Sequence, residues 1–357
     1  MPLPKEMRSV TVHPTQPITT TITTVAVPQI LAPNEVLIKV QAAASNPKDW
    51  LHLFMLGVSL NSGDDLAGTV VGMGTEVSKF RIGDRVAAFH ALGQPYGAYA
   101  EYAVAPAYTV FAIPGDMGFE EASTIPLVSL TAAITLFRRQ GFAAPWDLDL
   151  GPDQECADKN KNKKPLLLYG ATAALGTYIV KLAKMAGIGP IIAIGGGSNI
   201  FLDYRPGMEQ VKKEVSGYAK RYNLKLLNSI DAFTENKTWV DISQMLDAGI
   251  LSVFSSANSY DESGVPDNVQ IMYTYVDTGH EGAYKPGMPK QATPEEAVGD
   301  VDSAGKFFDW VGNMCREGKF SVHPFDVVPH GLHGVADGLN TLKDGQARGK
   351  KLVYIVS

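Results

Sequence analysis

Only two cysteines, Cys156 and Cys315, occur in 357 residues, and they stand 159 positions apart. Neither a disulfide framework nor a four-thiolate zinc site can be built from such a pair. Positive charge is also short. The 31 Lys and Arg against 37 Asp and Glu leave a net charge of −6, which argues against nucleic acid or an anionic membrane as the main partner. Long apolar runs are missing too: the longest, at 166–180, contains two Gly and stops at Lys181, short for a bilayer span. Residues 1–24 are polar and Thr-rich, with Pro2, Pro4, Pro14 and Pro17, and lack the apolar core of a signal peptide. These absences predict a cytoplasmic protein with no membrane partner, as a monomer or homodimer.

What is present is an ordinary globular composition, 45% hydrophobic, over a length that suggests two domains. Up to about residue 125 the pattern is β. Strands are expected at 36–40, 68–72, 85–89 and 98–104, separated by turn chemistry at 32–35, 62–65 and 82–85. Gly and Pro at this density fit a small barrel better than a flat sheet. Residues 121–139 look helical, broken at Pro126, and 143–164 form a polar loop. An apolar run at 165–169, a Gly-rich turn at 170–176, a helix to Ala186 and a second apolar run at 190–194 make a βαβ unit. Later strands are expected at 251–254, 269–275 and 350–356, with a helix over 303–317.

A strand, a Gly-rich turn and a helix form an anion site, because exposed N–H groups and the helix dipole face a phosphate. Gly170, Ala171 and Ala174 are small enough for backbone to approach one, and Gly176 lets the helix pack on the strand. The match to Gly-x-Gly-x-x-Gly is loose, since Thr172 stands at the middle glycine. A tight turn in a βαβ unit without a ligand is the alternative. An NAD site places an acid about 20 residues after the turn. Here the second strand ends in Gly195, Gly196, Gly197, Ser198 and Asn199. A carboxylate would repel a 2′-phosphate, so its absence points to NADPH, with Ser198 and Asn199 as phosphate partners and Tyr204 or Arg205 nearby.

Short motifs follow one another along nearly the whole chain: Asn-Pro-Lys-Asp at 46–49, Gly-Asp-Asp-Leu-Ala-Gly at 63–68, Gly-Asp-Arg-Val at 83–86, Gly-Ala-Tyr-Ala-Glu-Tyr at 97–102, Tyr-Gly-Ala-Thr-Ala-Ala-Leu-Gly at 169–176, Asp-Tyr-Arg at 203–205 and Gly-Lys-Lys-Leu-Val at 349–353. In this order they resemble a medium-chain dehydrogenase/reductase of the zinc-independent, quinone-oxidoreductase-like branch. Within it the chain is most similar to fungal enoyl reductases, including those acting in trans with polyketide synthases. The resemblance implies an α/β fold: a GroES-like β-barrel catalytic domain at 1–129 and 280–357, and a Rossmann dinucleotide-binding domain for NADP at 130–279. Zinc-dependent members use a Cys and a Gly-His-Glu motif. The corresponding stretches here read Ala44-Ser45-Asn46-Pro47 and Gly63-Asp64-Asp65, so no metal is expected. Without a Lewis acid a simple ketone is hard to polarise. Reduction of a conjugated C=C asks only for donors that hold a developing oxyanion.

The resemblance also implies site residues. Pro47, Lys48, Asp49 and Trp50 belong at the nicotinamide side. Relatives often carry Lys where this chain has Leu51, and Lys48 takes over a catalytic role only if its side chain turns inward. Thr131 resembles a catalytic Thr beside the cofactor. Thr172, Ala173, Ala174 and Leu175 match the pyrophosphate loop, Gly196, Gly197, Ser198 and Asn199 the 2′-phosphate end, and Tyr204 the adenosine side. Ser255 and Ser256 match nicotinamide contacts, and Arg348 and Gly349 a C-terminal cofactor contact. Tyr275, Val276, Asp277, Thr278, Gly279 and His280 are the substrate candidates. One departure stands out: only residues 200–202 separate the second strand's Gly-rich end from the Asp-Tyr-Arg motif. A parallel crossover needs about ten or more, so either the sheet is locally rebuilt or residues are missing. The activity implied is NADPH-dependent, metal-free reduction of the C=C of an enone, quinone or enoyl thioester. A trans-acting enoyl reductase meeting a polyketide synthase carrier protein is the narrower alternative, and a non-catalytic NADPH-binding scaffold the alternative of another class.

Overall fold

The computed structural model describes residues 3–147, 163–196, 202–255, 258–283 and 293–356. The chain divides into two compact units, Met1–Leu127 with Ala304–Ser357, and Val128–Ser303.

The first unit opens with an antiparallel hairpin, β1 (Glu6–His13) and β2 (Thr19–Ala26). Its second strand is rich in β-branched Thr, a residue type that favours strands. Strand β3 (Glu35–Ala44) is the organising element, pairing with three others. Helix α1 (Lys48–Leu56) follows it, and then β4 (Asp65–Met73), β5 (Arg85–Phe89), β6 (Tyr102–Pro106) and β7 (Val110–Ala112). Register shifts on β3 at Leu37/Ile38 and Val40/Ala42 bend it against β4. Gly68 sits at that bend because a Cβ there would lie 2.1 Å from the Lys39 carbonyl oxygen. Val36, Ile38, Val40, Leu66, Val86, Tyr99 and Tyr354 fill the barrel interior.

Short helix α2 (Phe119–Ser123) and helix α3 (Pro126–Ala133), continued as a π-helical turn Ile134–Arg139, lead into the second unit. Pro126 begins α3, where its missing N–H costs nothing. The elements that follow are β8 (Leu166–Tyr169), α4 (Ala174–Met185), β9 (Ile191–Gly195), β10 (Leu202–Asp203), α5 (Met208–Arg221), β11 (Asn228–Asp231), α6 (Thr238–Ser243), β12 (Gly249–Val253) and β13 (Val269–Tyr273). They form one parallel six-stranded sheet in the order β10-β9-β8-β11-β12-β13. The order reverses at β8, the switch point where such sheets take ligands at their C-terminal rim. Strand β10 is two residues long: Leu202 and Asp203 pair in parallel with Ile194 and Gly195 at the very end of β9, and the connection itself lies outside the described residues.

Helix α7 (Pro294–Arg316) carries the chain back, and β14 (Phe325–Val328), α8 (Val335–Lys343) and β15 (Lys351–Ile355) complete the first unit. Strand β15 lies antiparallel to β3. The division between units falls inside α7, at Ala304, and not near 280. Asp300 is the reason: fully buried, it accepts hydrogen bonds from Arg138 Nε (3.2 Å), Arg139 Nη1 (2.9 Å) and Thr278 Oγ1 (2.6 Å), all within the second unit. Among the described residues no helix is long and apolar enough to cross a membrane.

Candidate functional site

The Gly-rich turn leaves the C-terminal end of β8 at Tyr169. Gly170 takes a left-handed φ of 79°, a conformation that glycine adopts without penalty. At Gly176 a Cβ would lie 2.2 Å from the Gly170 carbonyl oxygen, so only glycine lets α4 sit down on the turn. Thr172 is exposed, and Ala173, Ala174 and Leu175 are half-buried around the helix start. Ala173 caps α4 with an extended backbone and no side-chain cap bond. Among the described residues no cap side chain takes the amides of the first helical turn, which lie at the positive end of the helix dipole. This small-residue, capless N-terminus has the chemistry of a pyrophosphate cradle.

The neighbouring strand ends hold the next group of candidates. Tyr204, 45% exposed, packs edge-on to Tyr169 at 6.1 Å between centroids, and a Cβ on Gly196 would stand 3.0 Å from its ring. Gly197, Ser198, Asn199 and Ser256 lie outside the described residues. An acid does reach this rim, contrary to the expectation from β9 alone. Asp203 stands opposite Gly195 in register. It is matched by Arg205, whose Nε donates to both carboxylate oxygens at 2.9 and 2.7 Å. These hydrogen bonds hold the Asp203 carboxyl below its ordinary range.

Further along the rim, Ser255 follows β12 and its carbonyl accepts the Tyr260 hydroxyl at 2.6 Å. Beyond β13, Tyr275 leads into a 3-10 turn, Val276–Gly279. There the Thr278 hydroxyl donates to the Tyr275 carbonyl (2.7 Å), and His280 Nδ1 meets Asp277 Oδ1 at 2.9 Å, both residues buried. Thr131 is buried on α3, its carbonyl accepting the Thr135 hydroxyl at 2.7 Å. The candidates of the second unit thus gather behind the ends of β8, β9, β10, β12 and β13, with Thr131 on the helix that opens the unit.

The first unit contains a buried polar cluster around the start of α1. Exposed Pro47 is its N-cap residue. Lys48 does turn inward, its side chain 14% exposed. The ammonium donates to the Ser62 carbonyl at 2.5 Å and to Asp64 Oδ2, and lies 2.8 Å from Asp49 Oδ1. Burial alone would depress the Lys48 pKa, but the fields of Asp49 and Asp64 outweigh it and the net shift is upward. Asp49, fully buried, also accepts the Tyr99 hydroxyl (2.6 Å) and the Asn46 amide (2.9 Å) through Oδ2. A second ammonium, Lys351 Nζ, donates to Asp65 Oδ2 (2.8 Å) and Asn46 Oδ1 (2.7 Å), while Asp65 Oδ1 caps α3 through the Leu127 amide at 2.7 Å. Trp50 packs edge-on to Phe54. Arg348 and Gly349 are exposed just before β15, both with positive φ, and the Gly349 carbonyl meets His323 Nε2 at 2.5 Å.

This cluster escaped the sequence reading in part. The acidic pair at 64–65 was visible in its motif, but Lys351 lies 286 positions from Asp65, and no local pattern links them. Two ammonium groups stand against the three carboxylates of this cluster. Among the described residues no group of three or more His, Cys, Asp and Glu is arranged to hold a metal ion.

Comparison with known proteins adds independent observations. The model of the alcohol dehydrogenase GroES-like domain matches residues 32–115. The chain is 34% identical over 319 residues to the trans-enoyl reductase fsr4 of Gibberella fujikuroi, covering 85% of this chain and 86% of that protein. It is 30% identical over 337 residues to the trans-enoyl reductase resD of Aspergillus sclerotiorum, covering 90% and 92%. Among solved structures, the CurK enoyl reductase superposes with a TM-score of 0.69 at 15% identity, over 99% of this chain and all of that one. The 2-octenoyl-CoA carboxylase reductase CinF, solved with NADP and 2-octenoyl-CoA, gives 0.68 at 17% identity, over 99% and 88%. At these identities the structural likeness speaks for the fold: a GroES-like barrel with a Rossmann domain.

Proposed function

The chain belongs to the trans-enoyl reductase family of zinc-independent medium-chain dehydrogenases/reductases, and from that premise we propose that it uses NADPH to reduce the C=C of an α,β-unsaturated thioester. The observation that carries the cofactor half of this reading is the capless start of α4, where Gly170 and Gly176 clear the space and Ala173 offers the first amides no side-chain cap. The nicotinamide supplies the hydride when bound. The turn at Thr172, Ala173, Ala174 and Leu175 would hold the pyrophosphate through backbone N–H groups. Tyr204 would cover the adenosine. Arg205 would meet the 2′-phosphate, with Asp203 as its counterion in the absence of ligand.

The substrate half rests on family membership. Relatives matched over about nine-tenths of their length carry the trans-enoyl reductase name, which favours an enoyl chain presented on a polyketide synthase carrier protein. The working place of such an enzyme would be the cytoplasm. The test is NADPH oxidation against enones, quinones and enoyl thioesters, with the reduced product identified by mass. Turnover of enoyl thioesters, faster when carrier-bound than when free, is expected. Protection by NADPH with no turnover on any of the three classes would make the chain a cofactor-binding scaffold instead. Activity is expected to survive exhaustive chelation, since neither Ala44-Ser45-Asn46-Pro47 nor Gly63-Asp64-Asp65 supplies the Cys or His of a zinc site.

A further inference from the structure

Conjugate reduction leaves negative charge on the substrate's carbonyl oxygen, and something must hold it; this inference rests on the reading just given. Lys48 looks suited by charge but not by geometry. An ammonium has three donors, and three protein oxygens, on Ser62, Asp64 and Asp49, already surround this one within 2.8 Å. Two carboxylates already match its charge.

Ser62 is in the opposite condition. The residue is 5% exposed, its hydroxyl is buried, and that hydroxyl has no hydrogen-bond partner among the described residues. A buried polar group without a partner is unfavourable and calls for an explanation. The loop around it is held from several sides. The Ser62 carbonyl accepts Lys48 Nζ, Asn61 Oδ1 accepts the amides of Gly63 (3.3 Å) and Tyr99 (3.2 Å), the Gly63 carbonyl accepts the Ala98 amide (2.7 Å), and the Asp64 carbonyl accepts the His90 amide (2.9 Å). An unpartnered donor in a loop held this way is preorganised for charge that appears only during reaction.

We propose that the Ser62 hydroxyl is a catalytic residue, the donor that holds the substrate carbonyl oxygen as the enolate forms, and that Lys48 is the positioning residue that fixes Ser62 through its backbone carbonyl. Hydride added at the β-carbon forms a C–H bond and drives the π pair toward the carbonyl oxygen. Ser62 donates a hydrogen bond to that oxygen and keeps its proton. The α-carbon then takes a proton from solvent and the carbonyl is restored.

The experiment compares Ser62→Ala with the wild-type chain, using NADPH and a short enoyl N-acetylcysteamine thioester, and measures melting temperature on the same preparations. Ser62→Ala is expected to lower kcat by roughly a hundredfold, the usual scale for one oxyanion donor. Its melting temperature should stay level or rise, because the variant removes an unpartnered buried hydroxyl. Lys48→Met should also lower kcat, and Lys48→Arg, which keeps the charge, should recover part of the loss. Wild-type kcat in Ser62→Ala overturns the proposal, as does a lowered melting temperature with the rate per folded molecule intact. If the wild-type chain reduces enoyl thioesters and Ser62→Ala matches it, only this inference fails. If the wild-type chain reduces none, the functional reading fails and takes the inference with it.

Discussion

Thr131 is buried on α3, and its own carbonyl is engaged by the Thr135 hydroxyl one turn later. Replacing it by Val keeps the shape and deletes one hydroxyl. If that hydroxyl serves hydride transfer, kcat should fall by about tenfold, the scale of one hydrogen bond made in the transition state, with NADPH affinity nearly unchanged. A purely structural Thr would instead lower the melting temperature and leave the rate per folded molecule alone. Lys48 makes a second case at this scale. Its folded pKa is raised above the ordinary 10.5 by Asp49 and Asp64 acting against burial. A cation with a raised pKa contributes stability that is fully present below 10.5 and fades as pH climbs through the folded value. The stability gap between wild type and Lys48→Met should therefore not shrink between about pH 6 and 9 in urea titrations, and loss of the cation that helps keep buried Asp49 charged can only widen it. A gap that shrinks across that range would mean Lys48 titrates there, and its assignment as a fixed counterion would be wrong.

Helix α4 and its turn show what an element owes to single glycines. A methyl on Gly176 would meet the Gly170 carbonyl oxygen at 2.2 Å and the Ala171 Cα at 2.7 Å, backbone atoms that cannot swing away. Gly176→Ala should cost about 1–3 kcal/mol of stability, as overpacking does, and weaken NADPH binding in fluorescence titration. Ala174→Leu should abolish binding with little loss of stability, since Ala174 is only half-buried at the helix start. A leucine variant that binds normally would move the pyrophosphate elsewhere. This element was legible in the sequence because all its determinants lie within the stretch 165–186. Other elements were not. Helix α5 went unread although Val211 and Val215, one turn apart, form its buried face, because two buried positions among fourteen make a faint period. The β1–β2 hairpin was hidden by its polar Thr content, and the boundary inside α7 by Asp300, whose partners Arg138 and Arg139 are more than 160 positions away. Local pattern reports elements; long-range polar pairing, which sets the candidate site in the barrel, leaves no periodic trace.

At the scale of the whole molecule, cofactor binding and folding are one equilibrium, because a ligand that binds only the folded chain stabilises it by mass action. NADPH at about a hundred times its Kd adds roughly 2.7 kcal/mol. NADH at the same concentration, if bound about tenfold more weakly, adds roughly 1.4 kcal/mol. The two nucleotides should thus raise the melting temperature by visibly different amounts. The sequence argued from the lack of an acid after β9, yet Asp203 stands beside Gly195 on β10. On the proposed NADPH reading, discrimination against NADH would come from Arg205, which pairs with Asp203 and would exchange that carboxylate for the 2′-phosphate. Arg205→Ala leaves Asp203 as an unmatched carboxylate at the rim, able to accept a ribose hydroxyl and to repel a phosphate. In that variant the two melting shifts should draw level or invert, and Asp203→Ala should widen the gap instead. Equal shifts for both nucleotides in the wild-type chain would remove the NADPH preference, and an unchanged gap in Arg205→Ala would relocate its origin away from this ion pair.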